Sequence, residues 1–424
     1  DAGLRSFVGK AYASAVFLLA SNSSDDVPQS DIVSLAINKL ILAYEDKSVA
    51  LTDIVDKNGF VITPASKRKD PWEYRSTIAI ALFELIDILL SLDDFDPKEN
   101  IIDLIVFFTN SGCLGDINDL VRDEYKDAGV KLMTEMGKAY VEDIIPIFED
   151  ALTRDITALP AGKKATSPLD NGLIIQENII VLYGSLAQHL DSDDHRIASI
   201  VSRLLDALTS PSENVHKAVS KIIAPLVPKF SEEVGQFISN LFVQLFDPVP
   251  PAFVRKGASW GLAGIIKGYG LRSFLEFDIM RVLIDAAESK SNPIGRASVA
   301  FCIMTFSSVL GRLFEPYVIE LLPFLLKNLG DQDIDVRKQY ILAADTIMKH
   351  TTSYGLHKMT PVAISNLNEY SWRIKKGSVE LLGSMAYLNP VQLSSSLSTI
   401  VPEIVGVLGD SHKEVRKSGD EALE

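Results

Sequence analysis

Apolar residues recur at helical spacing along most of the chain, and short polar segments separate the apolar stretches. In LLPFLLKNLGD (321–331) the leucines and Phe324 fall on one side of a helix. The pair Gly330-Asp331 then predicts the end of that helix and the beginning of a turn. A second helix follows, with Val336 facing inward near its start. The pattern therefore predicts an all-α chain built from pairs of helices.

The helix pairs repeat with a nearly constant period. A small or apolar residue followed by a basic one occurs at Val215-His216, Val254-Arg255, Gly295-Arg296, Val336-Arg337, Ile374-Lys375 and Val415-Arg416. The successive spacings are 39, 41, 41, 38 and 41 residues. A period near 40 is typical of HEAT repeats, in which each two-helix unit buries its apolar side against its neighbours.

Three of these units share two further positions. A proline precedes the basic residue by fourteen and an acid precedes it by six, in the sets Pro323, Asp331, Arg337; Pro361, Glu369, Lys375; and Pro402, Asp410, Arg416. The proline predicts the start of the first helix, where N–H groups lack intrahelical partners. The acid predicts a carboxylate to which the basic residue of the same unit reaches back. Asp116 and Arg122 repeat the six-residue offset nearer the N-terminus.

About ten such units account for the 424 residues. Segments 51–71 and 159–171 are rich in Pro, Gly, Ser and Lys, and we expect them to be long exposed loops between the helices of a unit. The sequence thus predicts a HEAT-repeat solenoid with two long inserted loops. Its expected parts are repeats with inserted loops at 1–245 and a second set of repeats at 246–424.

The composition excludes several classes of function. With 41 basic and 56 acidic residues the net charge is −15, so any contact with nucleic acid depends on local basic patches. Cys113 and Cys302 offer neither a disulfide framework nor a paired-cysteine zinc site. The six histidines lack metal-ligand spacing, and no nucleophile elbow or phosphate-binding loop occurs. We predict no catalytic residue, no metal and no cofactor.

Basic residues supply the candidate contacts with a partner. In five of the six units a lysine follows the repeated basic residue and lies about 100° around the helix from it, so the two cannot easily share a partner; these lysines are Lys217, Lys256, Lys338, Lys376 and Lys417. One such lysine in each unit forms either a positive ridge or an ordinary solvated face. The predicted ribosome or partner contacts are Lys67, Arg68, Lys69, Lys163, Lys164, Lys256, Lys338, Arg373, Lys375, Lys376, Lys413 and Lys417.

The stretch RKGASWGLAGIIKGYG (255–270) combines five glycines with a basic pair. No strand is expected before it, so it does not fit a dinucleotide-binding loop. Gly257, Gly261, Gly264 and Gly268 fall within about 60° of one another on a helix. Glycine costs a helix about 1 kcal/mol relative to alanine, so this stripe predicts compensation by an unusually close neighbouring helix.

Three segments resemble the family of fungal general control translational activators, which are very large HEAT-repeat proteins. The segments are 255–270, LFEPYVIELLPFLLKNLGD (313–331), and 371–417, beginning SWRIKKGSVELLGSMAYLNP. The chain is more distantly similar to the HEAT region of fungal elongation factor three, through Pro390, Gln392, Pro402 and Lys413-Glu414-Val415. The first 240 or so residues fit as preceding repeats but carry no family motif.

The resemblance implies a cytoplasmic, non-enzymatic scaffold that binds stalled or collided ribosomes. It also implies promotion of the kinase that phosphorylates initiation factor two in amino-acid starvation, with kinase contacts outside this chain. An ATP-binding cassette protein is the further partner that the elongation-factor-like region implies, and no membrane is expected. The alternative is a generic HEAT adaptor, such as a transport receptor or phosphatase scaffold, that binds protein segments on its concave face.

Overall fold

The computed structural model describes residues 2–22, 28–47, 54–55, 61–63, 70–92, 95–153 and 168–424. The chain divides into two compact units, Asp1–Ala207 and Leu208–Glu424. The predicted boundary between the two sets of repeats, at 245/246, rests on the family resemblance of the second set and not on packing. It stays a prediction.

Helices make up most of the described part of the chain. In the first unit they are α1 (Ala2–Ser21), α2 (Gln29–Lys47), α3 (Trp72–Ser91), α4 (Lys98–Asn110), α5 (Asp119–Met136), α6 (Val141–Thr153), α7 (Pro168–Ala187) and α8 (Arg196–Ala207). In the second unit they are α9 (Glu213–Leu226), α10 (Val234–Phe246), α11 (Ala252–Tyr269), α12 (Ser273–Glu276), α13 (Ile279–Glu288), α14 (Pro293–Leu310), α15 (Glu315–Leu329), α16 (Ile334–His350), α17 (Ser353–Asn366), α18 (Trp372–Gly383), α19 (Pro390–Val407) and α20 (Lys413–Leu423). Two short antiparallel strands, β1 (Ile54–Val55) and β2 (Val61–Thr63), lie between α2 and α3.

The long helices of each unit pack in two rows. The first row consists of α1, α3, α5 and α7 in one unit and of α9, α11, α14, α16, α18 and α20 in the other, each helix contacting the next one in its unit. The remaining long helices form a second row that packs against the first. The prediction of stacked helix pairs is confirmed, whereas the number of units stays a prediction.

The prolines of the three best-matched units lie inside helices. Pro323 belongs to α15, Pro361 to α17 and Pro402 to α19. The prediction that they begin the first helix is therefore wrong. These helices start about two to three turns earlier. Thr352 caps α17 by accepting the N–H of Gly355, and Asn389 caps α19 ahead of Pro390. Each internal proline then removes one N–H donor from the helix.

The predicted loop at 159–171 extends too far toward the C-terminus. Helix α7 begins at Pro168, so the last four residues of that loop are helical. Proline suits the first turn of a helix because no N–H donor is needed there. Residues 154–167 lie outside the described residues. In the loop predicted at 51–71, the described residues form the β1–β2 pair and the approach to α3.

The glycine stripe of α11 faces α9 and the residue Leu208. A Cβ atom added at Gly264 would lie 2.5 Å from the carbonyl oxygen of Ser220. Added Cβ atoms at Gly257 and Gly268 would overlap the carbonyl oxygens of Leu208 and Ala224. The predicted close approach of a neighbouring helix is confirmed, and at these three glycines main-chain atoms set its limit.

Helix α14 is long and apolar enough to cross a membrane by length and composition alone. In the structure 61% of its residues are buried, and it packs between α11 and α16. Its apolar residues are therefore largely covered by the neighbouring helices.

Candidate functional site

The repeated basic residues occupy equivalent places at the starts of the first-row helices. His216, Arg255, Arg296, Arg337, Lys375 and Arg416 are each the fourth residue of their helix, in α9, α11, α14, α16, α18 and α20 respectively. Val215, Val336 and Val415, which precede three of them, are at most 2% exposed, which confirms that these valines face the core. Arg75 and Arg122 hold the same fourth position in α3 and α5.

Three aspartates join consecutive first-row helices in the same way. The carboxylates of Asp116, Asp331 and Asp410 accept hydrogen bonds from Arg75 Nε at 2.7 Å, Arg296 Nε at 2.8 Å and Lys375 Nζ at 2.7 Å, each on the preceding first-row helix. Each carboxylate also accepts the main-chain N–H two residues later, at 3.0, 2.8 and 2.8 Å. We call these the aspartate joints.

The joint at Asp331 is largely shielded from water. Arg296 binds both carboxylate oxygens, at 2.8 and 3.0 Å, and the two side chains are 11% and 10% exposed. Bidentate pairs of this kind are among the stronger polar contacts in proteins. At Asp410 the bond from Lys375 lowers the pKa of the carboxyl group, so this joint stays ionised under mildly acidic conditions.

The basic residue of the same unit binds the turn through a different oxygen. Arg337 donates to the main-chain carbonyl of Asp331 at 2.6 Å, and Arg416 donates to that of Asp410 at 2.6 Å. The prediction that these arginines reach the turn carboxylate of their own unit is therefore wrong. That carboxylate is already occupied by the turn N–H and by the preceding helix.

Glu369 does not form the joint that its position predicts. Its side chain is exposed and makes no ion pair with any described residue. Aspartate can accept the N–H two residues on because its side chain is short, whereas glutamate carries one more methylene. His216 and Arg255 likewise bind carbonyl oxygens of their own turns, at Ser210 and Pro250, with distances of 2.7 and 2.6 Å.

The predicted ridge of lysines is partly neutralised. Lys217, Lys376 and Lys417 pair with Glu213, Glu414 and Glu421 at 2.9, 3.1 and 3.0 Å. Lys256 lies 5.4 Å from the ring centre of Phe301. Of the five, Lys338 is exposed and forms no ion pair with a described residue. Four of the five lysines thus have a partner within the chain. The continuous positive ridge stays a prediction.

The remaining predicted contacts divide into three groups. Arg373 and Lys413 are exposed at the starts of α18 and α20, beside the rings of Trp372 and His412, which stack with their centres 4.1 Å apart. Lys375 is bound to Asp410 in its joint. Lys67, Arg68, Lys69, Lys163 and Lys164 lie outside the described residues.

Sequence reasoning missed Arg75, the most buried of these cations. Its side chain is 4% exposed and binds both Asp70 and Asp116. Arg75 lies 41 residues before Asp116, whereas the later joints span 35, so the shared spacing did not extend to it. Two features of the sequence could have indicated Arg75. It stands at the start of an apolar helix, and it precedes Asp116 and Arg122, which have the six-residue offset.

The described residues offer little reactive chemistry. Burial raises the pKa of the Cys113 thiol to about 12 and raises that of Cys302 as well, so both thiols are poor nucleophiles. Among the residues that the structure describes, no group of three or more His, Cys, Asp or Glu side chains is arranged to hold a metal ion. What the arrangement presents instead is a set of inter-helix joints and exposed cations.

Stacked helix pairs with recurrent joints between neighbouring units define a HEAT-repeat protein, and comparisons with known proteins agree. The family model "Stalled ribosome sensor GCN1, HEAT repeats" matches residues 2–188, and the model "EF3 N-terminal HEAT repeat" matches residues 255–423. The first match covers the region in which the sequence showed no recognisable motif.

The chain belongs to the GCN1 family of HEAT-repeat proteins. It is 48% identical to the eIF-2-alpha kinase activator GCN1 of Saccharomyces cerevisiae over 100% of this chain and 15% of that protein. It is 36% identical to the human stalled ribosome sensor GCN1 over 91% of this chain and 14% of that protein. An elongation factor 3 from Gonapodya prolifera is 26% identical over 40% of this chain and 16% of that protein. The chain thus spans about one seventh of the GCN1 relatives.

Proposed function

We propose that this chain is a non-enzymatic, ribosome-associated scaffold in translational control. The observation that carries the proposal is its 48% identity, over its whole length, to a protein named as an eIF-2-alpha kinase activator. The human relative is named as a sensor of stalled ribosomes. The chain would act in the cytoplasm by holding a ribosome, and it would promote kinase activation through regions outside 1–424. An ATP-binding cassette protein is the further partner proposed for the elongation-factor-like repeats.

Exposed cations without a carboxylate partner are the best candidates for contact with ribosomal RNA. Of the predicted contacts that the structure describes, Lys338, Arg373 and Lys413 are exposed and form no ion pair with a described residue. On a chain of net charge −15 such contacts are local, and salt weakens them because each phosphate contact releases a counterion. Lys375 and Lys376 are less suitable because Asp410 and Glu414 already bind them.

Co-sedimentation with purified ribosomes at graded salt tests the proposal. We expect the wild-type chain to pellet with ribosomes and to be released as salt rises. A variant with Lys338, Arg373 and Lys413 all changed to Glu should be released at about half the salt concentration or less. Lys327→Glu, which changes an exposed lysine of α15 outside this set, is the matched control and should behave as wild type.

Two results would contradict the proposal. A wild-type chain that never pellets with ribosomes at low salt would favour a generic adaptor for protein segments. A triple variant released at the same salt concentration as wild type would leave ribosome association standing but would remove these three residues from the contact.

A further inference from the structure

A groove of about 590 Å³ crosses four consecutive first-row helices, α9, α11, α14 and α16. It is lined by side chains at successive turns of each helix, and the 3-10 turn Ser384–Tyr387 bounds its far side. None of its aromatic lining residues was singled out as a candidate from the sequence. The groove lies wholly within the second compact unit.

Lysines and aromatic rings alternate along the groove. The ammonium groups of Lys217, Lys256 and Lys349 lie 5.8, 5.4 and 4.8 Å from the ring centres of Trp260, Phe301 and Tyr387. Lys217 also forms an ion pair with Glu213. Lys256 and Lys349 form no ion pair with a described residue, so these two cations are available to a ligand. The rings hold the lysine stems in place and so lower the entropic cost of binding an anion.

The polar groups between the lysines mostly accept hydrogen bonds. The hydroxyls of Ser308 and Thr346 donate to carbonyl oxygens of their own helices at 2.8 Å, which leaves their oxygens free to accept. The carboxylate of Asp345 also lines the groove and makes no hydrogen bond with a described residue; its burial raises its pKa. A ligand must therefore donate hydrogen bonds as well as carry negative charge.

These features favour a peptide over nucleic acid. Each residue of a peptide other than proline offers a main-chain N–H donor that Asp345 can accept, whereas the phosphate repeated along a nucleic-acid backbone only accepts hydrogen bonds. Met304 and Leu342 add apolar surface to the groove floor, and Leu342 is 49% exposed. Apolar side chains of a peptide can cover that surface.

We propose that the groove binds an extended acidic segment of a partner protein. Packed helices lie about 8–10 Å apart, so Lys256 on α11 and Lys349 on α16 are about 16–20 Å apart. An extended peptide rises about 3.3 Å per residue, so carboxylates about six residues apart meet the two lysines. The apolar side chains between them contact Phe301, Met304 and Leu342. This site is independent of the proposed ribosome contacts.

Fluorescence anisotropy with designed peptides tests the inference. The probes are fluorescein-labelled peptides of about twelve residues, with two glutamate pairs separated by about three, six or nine residues and with leucine and phenylalanine between them. We expect the affinity to be highest at the six-residue spacing. Lys256→Glu and Lys349→Glu should each weaken that binding at least tenfold. Lys349→Met, which keeps the aliphatic stem, should weaken it by a similar factor.

Lys327→Glu is the matched control, because it places the same charge change on the second-row helix α15, away from the groove, and it should change the affinity less than twofold. Thermal unfolding of each variant verifies that the fold is intact. The inference is overturned if the peptides fail to bind at millimolar concentration, or if affinity is independent of spacing. It is also overturned if a labelled oligouridine of equal length binds more tightly than the best peptide. None of these results depends on whether the chain binds ribosomes.

Discussion

At each aspartate joint, one residue binds two basic side chains through two different oxygens. The carboxylate of Asp331 binds Arg296 of the preceding first-row helix, while its main-chain carbonyl binds Arg337 of the following one. The six-residue offset between acid and base was visible in the sequence. Which oxygen each base binds was not, because it depends on the turn conformation that the N–H of Asp333 fixes.

His216 makes the stability of the second unit depend on pH. Its Nε2 donates to the carbonyl of Ser210 at 2.7 Å, and its Nδ1 is buried with no hydrogen-bond partner among the residues that the structure describes. Burial lowers its pKa below the usual 6.5, so the unfolded chain binds a proton at a higher pH than the folded chain does. The free energy of unfolding should therefore fall as pH drops below about 6.5. Denaturant unfolding at about pH 7.5 and about pH 5.5 measures this loss.

His216→Gln supplies the control, since glutamine keeps an N–H donor but does not titrate. The other five histidines are present in both chains, so the difference between their pH dependences reports on position 216. We expect the variant to lose less stability than wild type over this interval. Equal losses in the two chains would show that the buried imidazole does not control the response.

At the scale of helices, both the local start signals and the burial of apolar residues determine where a helix begins and how far it continues. The sequence carries two such signals around α19, the capping pair Asn389-Pro390 and the internal Pro402. The helix begins at the first because Asn389 satisfies N–H groups of the first turn, and it continues past the second because Ile400 and Ile404 are buried against the neighbouring helices. A sequence pattern identifies both signals, but packing decides between them.

The α9–α11 contact should be highly sensitive to a single methyl group. In Gly264→Ala the new Cβ would lie 2.5 Å from the carbonyl oxygen of Ser220, and main-chain atoms cannot turn aside as a side chain can. We expect the free energy of unfolding to fall by about 2–3 kcal/mol, although alanine is the better helix former. Thermal or denaturant unfolding of the purified chain measures the change.

Gly406→Ala in α19 is the matched comparison. An added Cβ there meets no atom within 4 Å, so only helix propensity changes, and we expect stabilisation by about 0.5–1 kcal/mol. Opposite signs for the two substitutions would support the close approach of α9 and α11. A stabilising effect of Gly264→Ala would refute it.

At the scale of the whole molecule, regularity decides what a sequence can predict. The 40-residue period indicated the helix pairs and the recurrent acid and base of each turn, because each unit repeats the same contacts with its neighbours. The groove has no such signature. Its lining comes from positions between Glu213 and Tyr387 on several helices, and only their packing places Lys256 beside Phe301 and Lys349 beside Tyr387.

Repeat proteins contact mainly their neighbours, so breaking one joint should loosen the chain locally. Asp331→Ala leaves Arg296 without its carboxylate, and we expect a loss of about 2–4 kcal/mol with faster amide exchange in α14 and α16. Asp116→Ala should cost more, because Arg75 and Asp116 are only 4% and 3% exposed, and its effect should appear in α3 and α5. Hydrogen exchange with mass spectrometry resolves these segments.

Glu369→Ala is the control, because Glu369 holds the equivalent position but forms no joint, and it should alter exchange by less than about twofold. If Asp116→Ala and Asp331→Ala accelerated exchange uniformly along the chain, the joints would be holding one cooperative structure rather than successive pairs of helices.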